Sequence, residues 1–148
     1  MEEKRLKAVP ASYLVLMKDG KVLMQRRFNT EYEDGKYSFP AGHVETGENF
    51  TQCVVREIKE EIGIDLKPED VKVVHIMHRN SNEAEIGNRI DTFFVAEKWD
   101  GEIENKEPNK CDDLSWFDLN NLPENIIPYV KQAIDCIIKK EFYSEFGW

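Results

Sequence analysis

The chain has 148 residues, a formal net charge of −9 and 41% hydrophobic residues, which is enough for the core of one domain. The acidic balance argues against a protein that binds nucleic-acid polymers or membrane surfaces, because both kinds of binding need basic patches. No apolar run approaches the ~20 residues of a membrane-spanning helix, and we expect no secretory signal. The three cysteines, Cys53, Cys111 and Cys136, are typical of neither a disulfide framework nor a zinc site. We therefore expect a single domain over residues 1–148, in a reducing cytoplasm.

The first elements are two strands. Residues 8–17 are mostly apolar, and residues 22–27 follow after a short polar stretch. Between them, Asp19-Gly20 is the pair of residues that favours a tight hairpin turn. The second strand ends in Arg26 and Arg27, which are either ordinary surface arginines or part of a binding site.

A helix is predicted over residues 50–62. Apolar residues recur four apart at Phe50, Val54, Ile58 and Ile62, which gives the helix one apolar face. Either Thr46 or Asn49 caps its first turn, since both precede the apolar pattern. Gly63 follows the last turn, where glycine commonly ends a helix.

Three glutamates share one patch of this helix. At about 100° per residue, Glu57, Glu60 and Glu61 fall within an arc of roughly 100°, and neighbours at that spacing lie about 5–6 Å apart. Like charges so close repel one another unless cations bind between them. Acidic helix faces are often only solvated surface, but hard divalent cations with oxygen ligands would also suit this patch.

The second half of the chain is predicted to contain strands and one more helix. Strands are expected over residues 71–78, 89–97 and 111–117, with a polar hairpin loop over residues 79–88. A final helix is expected over residues 126–140, and the aromatic tail that follows is expected to pack on the body or on a second subunit. Strands and helices in this order indicate an α+β domain.

The stretch around the acidic helix resembles the Nudix box of the Nudix hydrolases. That motif has Gly, five residues, Glu, seven residues and then Arg-Glu-aliphatic-x-Glu-Glu-x-Gly-aliphatic. Here it runs from Gly42 through Glu48 and Arg56 to Ile64, and every specified position is filled. The resemblance implies a Nudix-type α/β/α sandwich around a mixed β-sheet and a working metal site.

The resemblance also implies roles for the residues of the box. Glu57 and Glu61 would bind Mg²⁺ or Mn²⁺, and Glu60 would be a further ligand or would support the ligands. The carbonyl of Ala41, just before the box glycine, would join the metal shell. Arg56 would orient the glutamates through charge-assisted pairs.

Two further sites follow from the resemblance. Arg26 and Arg27 correspond to a pair that lies near the substrate phosphates in many Nudix proteins. Glu107 lies in a stretch similar to the Glu-Pro-x-Lys-Cys segment of small diphosphatases related to MutT. The base that accepts a proton from the attacking water would be a box glutamate such as Glu60, or Glu107.

The reaction implied is hydrolysis of a nucleoside triphosphate, either normal or oxidised, to the monophosphate and pyrophosphate. A second enzyme hypothesis is hydrolysis of another nucleoside diphosphate derivative, such as a nucleotide sugar or ADP-ribose. A third hypothesis is a sensor that binds a nucleotide without cleaving it. In each case the partner is a small nucleotide rather than a nucleic-acid polymer or a membrane, and the family often forms homodimers.

Overall fold

The computed structural model describes residues 4–81 and 87–148. The strands in these ranges are β1 (Ala8–Leu14), β2 (Met17–Lys18), β3 (Lys21–Arg27), β4 (Tyr37–Ser38), β5 (Ala41–His43), β6 (Val71–Arg79), β7 (Asn88–Ala96), β8 (Cys111–Asp118) and β9 (Tyr143–Phe146). The α-helices there are α1 (Phe50–Ile62) and α2 (Pro128–Ile138), and a 3₁₀ turn covers Pro68–Asp70. No helix in the described ranges is long and apolar enough to cross a membrane.

The strands form two sheets. The larger sheet has the order β5-β1-β7-β6-β9 and is mixed, because β1 and β7 run parallel, as do β6 and β9, whereas the other pairs are antiparallel. In the smaller sheet β3 pairs antiparallel with β2, β4 and β8. The turn between β2 and β3 has positive φ at Asp19 (53°) and Gly20 (75°), as a two-residue hairpin requires.

The larger sheet separates two apolar layers. Adjacent side chains on a strand point to opposite faces, so Tyr13 and Phe93 face one layer while Leu14 and Phe94 face the other. Helix α1 packs on the layer of Leu14 through Val54, Ile58 and Ile62. Helix α2 packs on the layer of Tyr13 through Val130, Ala133 and Ile134. The chain is therefore the predicted α/β/α sandwich around a mixed sheet.

Capping residues define both ends of helix α1. Asn49 is the N-cap: its side chain accepts a hydrogen bond from the Gln52 amide, and the Gln52 side chain accepts one from the Asn49 amide. Gly63 ends the helix with a left-handed φ of 79°. The predicted bounds of this helix are confirmed, and Asn49 rather than Thr46 is the cap.

The predicted elements of the second half of the chain agree less closely with the structure. Helix α2 begins at Pro128 instead of residue 126, because Ile127 is extended and proline occupies the first turn. The aromatic tail packs on the body and forms β9, a strand that the sequence did not predict. Residues 82–86 of the loop predicted over residues 79–88 lie outside the described residues, whereas Arg79 is the last residue of β6 and Asn88 the first of β7.

Candidate functional site

Arg56 lies at the centre of the acidic cluster on α1. Its Nε and Nη2 atoms donate to the two carboxylate oxygens of Glu48 at 2.7 and 2.9 Å. Its Nη1 donates to Glu57 Oε1 at 2.7 Å and to Glu60 Oε2 at 3.5 Å. The hydrogen bonds from Arg56 lower the pKa of Glu48 to about 2. Arg56 therefore contacts three glutamates of the box, and its orienting role stays a prediction.

Glu57 lies directly beneath the box glycine. A Cβ atom on Gly42 would lie 2.0 Å from Glu57 Cδ, so any larger residue at position 42 would displace this carboxylate. Desolvation by burial raises the pKa of Glu57, although the bond from Arg56 acts in the opposite direction. The glycine therefore provides the space in which a partly buried carboxylate lies.

Glu61 is the most deeply placed acid of the cluster. The Gln25 amide donates to its Oε1 at 3.1 Å. Its Oε2 is buried and has no hydrogen-bond partner among the described residues. Burial raises the pKa of Glu61 well above its ordinary value, and the charges of Glu57 and Glu107 raise it further. A buried, unpaired carboxylate oxygen is costly unless a cation binds to it.

Glu107 reaches the same cluster from a loop 46 residues beyond Glu61. Backbone amides of Glu104 and Lys106 donate to the carbonyls of Ile62 and Glu61, both at 3.0 Å, which fastens the loop to the end of α1. Glu107 raises the pKa of both Glu57 and Glu61 through its charge. The distal acid proposed from the sequence therefore lies beside the box acids.

These groups line one cavity of about 310 Å³, which we call the carboxylate pocket. Its lining residues are Gln25, Arg27, Thr30, Ala41, Glu45, Arg56, Glu57, Glu60, Glu61, Glu107, Lys110 and Cys111. Five carboxylates thus face three cationic side chains, and the oxygen donors are of the kind that hard divalent cations prefer.

The fit to a divalent cation rests on the unpaired Glu61 oxygen and on this excess of carboxylates. In the part of the chain that the structure describes, no three acidic, histidine or cysteine side chains form a ready-made ligand set. Arg56 donates hydrogen bonds to two of these acids, Glu57 and Glu60. The residues present fit the metal, provided that these two acids turn from Arg56 towards it.

The two arginines at the end of β3 have different surroundings. Arg27 lines the carboxylate pocket. Arg26 points to the other side of the strand, where its Nε donates to Asp112 Oδ1 at 2.7 Å and its guanidinium lies 5.8 Å from the Tyr37 ring centre. Alternation along the strand separates the pair, so only Arg27 is brought to the acidic cluster.

A second cavity of about 420 Å³ adjoins the first and shares Arg27 and Ala41 with it. We call it the side pocket, and its lining residues are Ala11, Tyr13, Arg27, Glu31, Tyr32, Ser38, Ala41, Gly42, His43, Arg79, Arg89 and Tyr129. Its volume lies within the usual range for small-molecule sites. It contains three tyrosines and three arginines, which suits the polar and aromatic parts of a nucleotide.

Beneath the side pocket lies a buried ion pair that the sequence analysis missed. Arg79 Nε donates to Asp91 Oδ2 at 2.8 Å, and both side chains are at most 7% exposed. The available signal was Asp91, a charged residue within a predicted apolar strand, since such residues are rarely buried unless paired; Arg79 was placed in the predicted loop over residues 79–88 but belongs to β6. Their pairing could not be derived, because it depends on the register that places β6 beside β7.

The fold agrees with the comparisons. The family model described as the NUDIX domain matches residues 6–137. The chain therefore belongs to the NUDIX domain family.

Two curated relatives are similar over about three quarters of the chain. An ADP-ribose pyrophosphatase from Methanocaldococcus jannaschii is 34% identical over 110 residues, which are 74% of this chain and 62% of that protein. An NAD-capped RNA hydrolase NudC from Stutzerimonas stutzeri is 35% identical over 112 residues, 76% of this chain and 37% of that protein. The chain thus spans less than two thirds of the length of either relative.

A solved structure shows a similar fold over most of the chain. The crystal structure of a MutT NUDIX hydrolase from Burkholderia pseudomallei superposes with a TM-score of 0.79 at 25% identity, covering 87% of this chain and 97% of that one.

Proposed function

We propose that this protein is a metal-dependent nucleotide diphosphatase that hydrolyses a diphosphate linkage. The observation that carries the proposal is the buried, unpaired Oε2 of Glu61, which faces further carboxylates in a pocket beside a nucleotide-sized cavity. A protein that only bound a neutral ligand would have no use for so many uncompensated acids.

Glu57 and Glu61 would hold the divalent cation, Mg²⁺ or Mn²⁺, with Glu60 as a further ligand and the Ala41 carbonyl at the pocket wall. When bound, the cation supplies charge neutralisation at the phosphates and lowers the pKa of a coordinated water. Arg56 keeps the glutamates in place until the cation binds, and Arg27 provides positive charge between the two pockets for a phosphate.

The proton of the attacking water goes to a carboxylate. Glu60 and Glu107 are the candidates, since both line the pocket and neither is held by two strong hydrogen bonds as Glu48 is. Glu60 is 54% exposed and lies near the rim, whereas Glu107 lies close enough to influence Glu57 and Glu61. We propose Glu107 as the first residue to test as the general base.

Two substrate classes are supported by different observations. The relatives named ADP-ribose pyrophosphatase and NAD-capped RNA hydrolase favour a nucleoside diphosphate joined to a second group. The resemblance of the stretch around Glu107 to a segment of small diphosphatases related to MutT favours a nucleoside triphosphate, which would yield the monophosphate and pyrophosphate. The side pocket would receive the part of either substrate that lies beyond the scissile linkage.

The test is a hydrolysis screen with product identification in the presence of Mg²⁺. The panel contains normal and oxidised nucleoside triphosphates, ADP-ribose, NAD and nucleotide sugars, each with wild type, Glu57→Gln and Glu107→Gln. We expect turnover of one class by wild type, its loss in Glu57→Gln, and a lower kcat with little change in metal affinity in Glu107→Gln.

Glu124→Gln is the matched control, because Glu124 is exposed and lies outside both pockets. Its activity should equal that of wild type. Undiminished turnover in Glu57→Gln would refute the metal-binding role of the box, and nucleotide binding without any turnover would favour the sensor hypothesis.

A further inference from the structure

Arg79 is held by two contacts at the base of the side pocket. It ends β6, is 6% exposed and forms the buried ion pair with Asp91. Its guanidinium lies 3.8 Å from the centre of the Tyr129 ring, so helix α2 covers it from above. A buried cation held by one carboxylate and one ring face has little freedom to move.

The outer nitrogens of this guanidinium face hydroxyl groups of the pocket wall. Nη1 donates to the Tyr32 hydroxyl at 3.3 Å, and Nη2 donates to the Tyr13 hydroxyl at 3.5 Å. Tyr13 belongs to strand β1 of the larger sheet and is buried. Tyr32, by contrast, lies on the segment between β3 and β4, which has no regular secondary structure of its own.

The opposite side of Tyr32 is held by Arg27. Arg27 Nε donates to the Tyr32 carbonyl at 2.7 Å, and its guanidinium lies 5.3 Å from the Tyr32 ring centre. Arg27 is also the charged residue shared by the two pockets. Tyr32 is therefore held between one arginine that is fixed in the core and another that faces the carboxylate pocket.

The segment that carries Tyr32 needs such contacts. Asn29, Glu31 and Glu33 all have positive φ, between 53° and 66°, which is unfavourable for residues other than glycine. Asp34 stabilises the turn by accepting hydrogen bonds from the Thr30 and Glu31 amides. Its conformation thus depends on a few side-chain contacts, of which those to Tyr32 face the pocket.

We infer that Tyr32 is a positioning residue for substrate: Arg79 fixes its hydroxyl and Arg27 its carbonyl, so that the segment closes the side pocket around the group beyond the scissile linkage. The inference rests on the proposed function, because it takes the side pocket as the place of that group. It assigns Arg79 to substrate affinity and gives it no part in the chemical step.

Two variants separate these contacts. Tyr32→Phe removes only the hydroxyl and keeps the ring and the carbonyl that Arg27 binds. Arg79→Lys keeps a cation for Asp91 but loses the planar fork that reaches Tyr32. Tyr143→Phe is the matched control, because the Tyr143 hydroxyl is exposed and bonds to Glu145 away from both pockets.

The experiment measures kcat and KM for the best substrate, and Kd for α,β-methylene nucleoside triphosphates and α,β-methylene-ADP-ribose. We expect Tyr32→Phe to raise KM and Kd roughly three- to tenfold, as loss of one hydrogen bond does, while kcat stays within about twofold. Arg79→Lys should raise them at least as much. The double variant should raise KM and Kd little beyond the single variants, because both changes remove the same hydrogen bond between Arg79 and the Tyr32 hydroxyl.

Unchanged KM and Kd in Tyr32→Phe, with a melting temperature near that of wild type, would overturn the inference. So would a fall in kcat at constant KM, which would place Tyr32 in the chemistry. If Arg79→Lys fails to fold, the KM and Kd of Tyr32→Phe alone test the inference. If wild type binds the analogues but cleaves no substrate, the proposed activity fails while the Kd comparison still decides the role of Tyr32; absence of binding overturns both.

Discussion

The buried carboxylate of Glu61 lowers the stability of the metal-free protein, and its proposed role in binding a cation accounts for its presence. Gln25 donates to Oε1 of this carboxylate, and Oε2 has no partner among the described residues. A group of this kind destabilises the protein without metal and stabilises it once a cation binds. Activity and stability should therefore respond in opposite directions when this charge is removed.

We predict that Glu61→Gln abolishes metal-dependent activity but raises the free energy of unfolding in EDTA by about 1–3 kcal/mol, because a buried unpaired charge is removed. Metal affinity should fall by more than about 100-fold, since a direct ligand matters at least as much as the groups that support it. Urea denaturation with and without Mg²⁺ measures both effects. A less stable Glu61→Gln protein in EDTA would contradict the proposed cost, and Glu124→Gln controls for the loss of one charge.

Glu48 gives a prediction for the effect of pH. Arg56 lowers its pKa from 4.5 to about 2, so the folded state favours the ionised form. A lowered pKa in the folded state adds stability above the unfolded value of 4.5, and that stability is lost as pH falls towards 2. Glu48→Gln should therefore be less stable than wild type above pH 5, with the difference shrinking on acidification.

Urea denaturation in EDTA, from about pH 6 down to about pH 2, tests this slope. EDTA keeps metal binding out of the comparison. If the difference in the free energy of unfolding between wild type and Glu48→Gln stays constant over the whole pH range, the contribution of the Glu48–Arg56 pair does not depend on the charge of Glu48.

At the residue scale, the sequence predicted the groups that a motif fixes. Arg56 and the three helix glutamates lie together because their spacing alone places them on one face. Glu107 could be proposed only from its resemblance to a known segment. The pair of Arg79 with Asp91 was out of reach, because strand register rather than local spacing brings the two together.

At the scale of elements, the site depends on how closely strand β5 approaches helix α1. Gly42 lies in β5 and Glu57 in α1, with no room for a Cβ atom between them. The φ of Gly42 is not positive, so the requirement for glycine there is one of space. This contact sets the position of the carboxylate relative to the loop.

We predict that Gly42→Ala preserves the fold but lowers metal affinity and kcat, because the methyl group displaces Glu57. The displaced atoms belong to a side chain rather than to backbone, so the loss of stability should stay within about 1–3 kcal/mol. Isothermal titration with Mn²⁺ and thermal denaturation measure the two effects. Gly20→Ala is an informative control: Gly20 has a φ of 75° in the β2–β3 turn, so alanine there should reduce stability while leaving metal binding intact.

The predicted elements also show what local patterns cannot provide. The caps and apolar spacing of α1 lie within the helix itself, and its bounds were predicted correctly. Strand β9 was missed because a four-residue strand is defined by its pairing with β6, more than sixty residues earlier in the chain. The separation of Arg26 from Arg27 follows from strand alternation, which a basic pair in sequence does not reveal.

For the molecule as a whole, the C-terminal tail joins the larger sheet to helix α2. Strand β9 runs parallel to β6, and the Phe146 ring lies edge-on to Tyr129 at 6.3 Å. The tail also leaves Phe142 and Tyr143 more than half exposed at the edge of the sheet. Such an edge is compatible with the homodimer predicted from the sequence, which stays a prediction.

His75 fastens this tail to the core. The ring is fully buried, with Nδ1 2.8 Å from the Glu141 carbonyl and Nε2 2.7 Å from Ser144 Oγ. A carbonyl can only accept, so Nδ1 donates to it, and Nε2 forms its hydrogen bond with the serine hydroxyl. Removing that hydroxyl leaves a buried ring nitrogen unpaired.

We therefore predict that Ser144→Ala lowers the free energy of unfolding by about 1–3 kcal/mol, whereas Tyr143→Phe, which alters an exposed hydroxyl on the same strand, has little effect. Hydrogen exchange shows whether the loss of stability is local. The Ile76 amide in β6 donates to the Phe142 carbonyl, and the Asn80 amide just after β6 donates to the Phe146 carbonyl. Faster exchange at these two amides, with the amides of β1 unchanged, would mean that the tail detaches on its own. Equal acceleration throughout the larger sheet would mean that β9 unfolds only with the whole domain, so that the tail belongs to the same cooperative unit as the side pocket it helps to support.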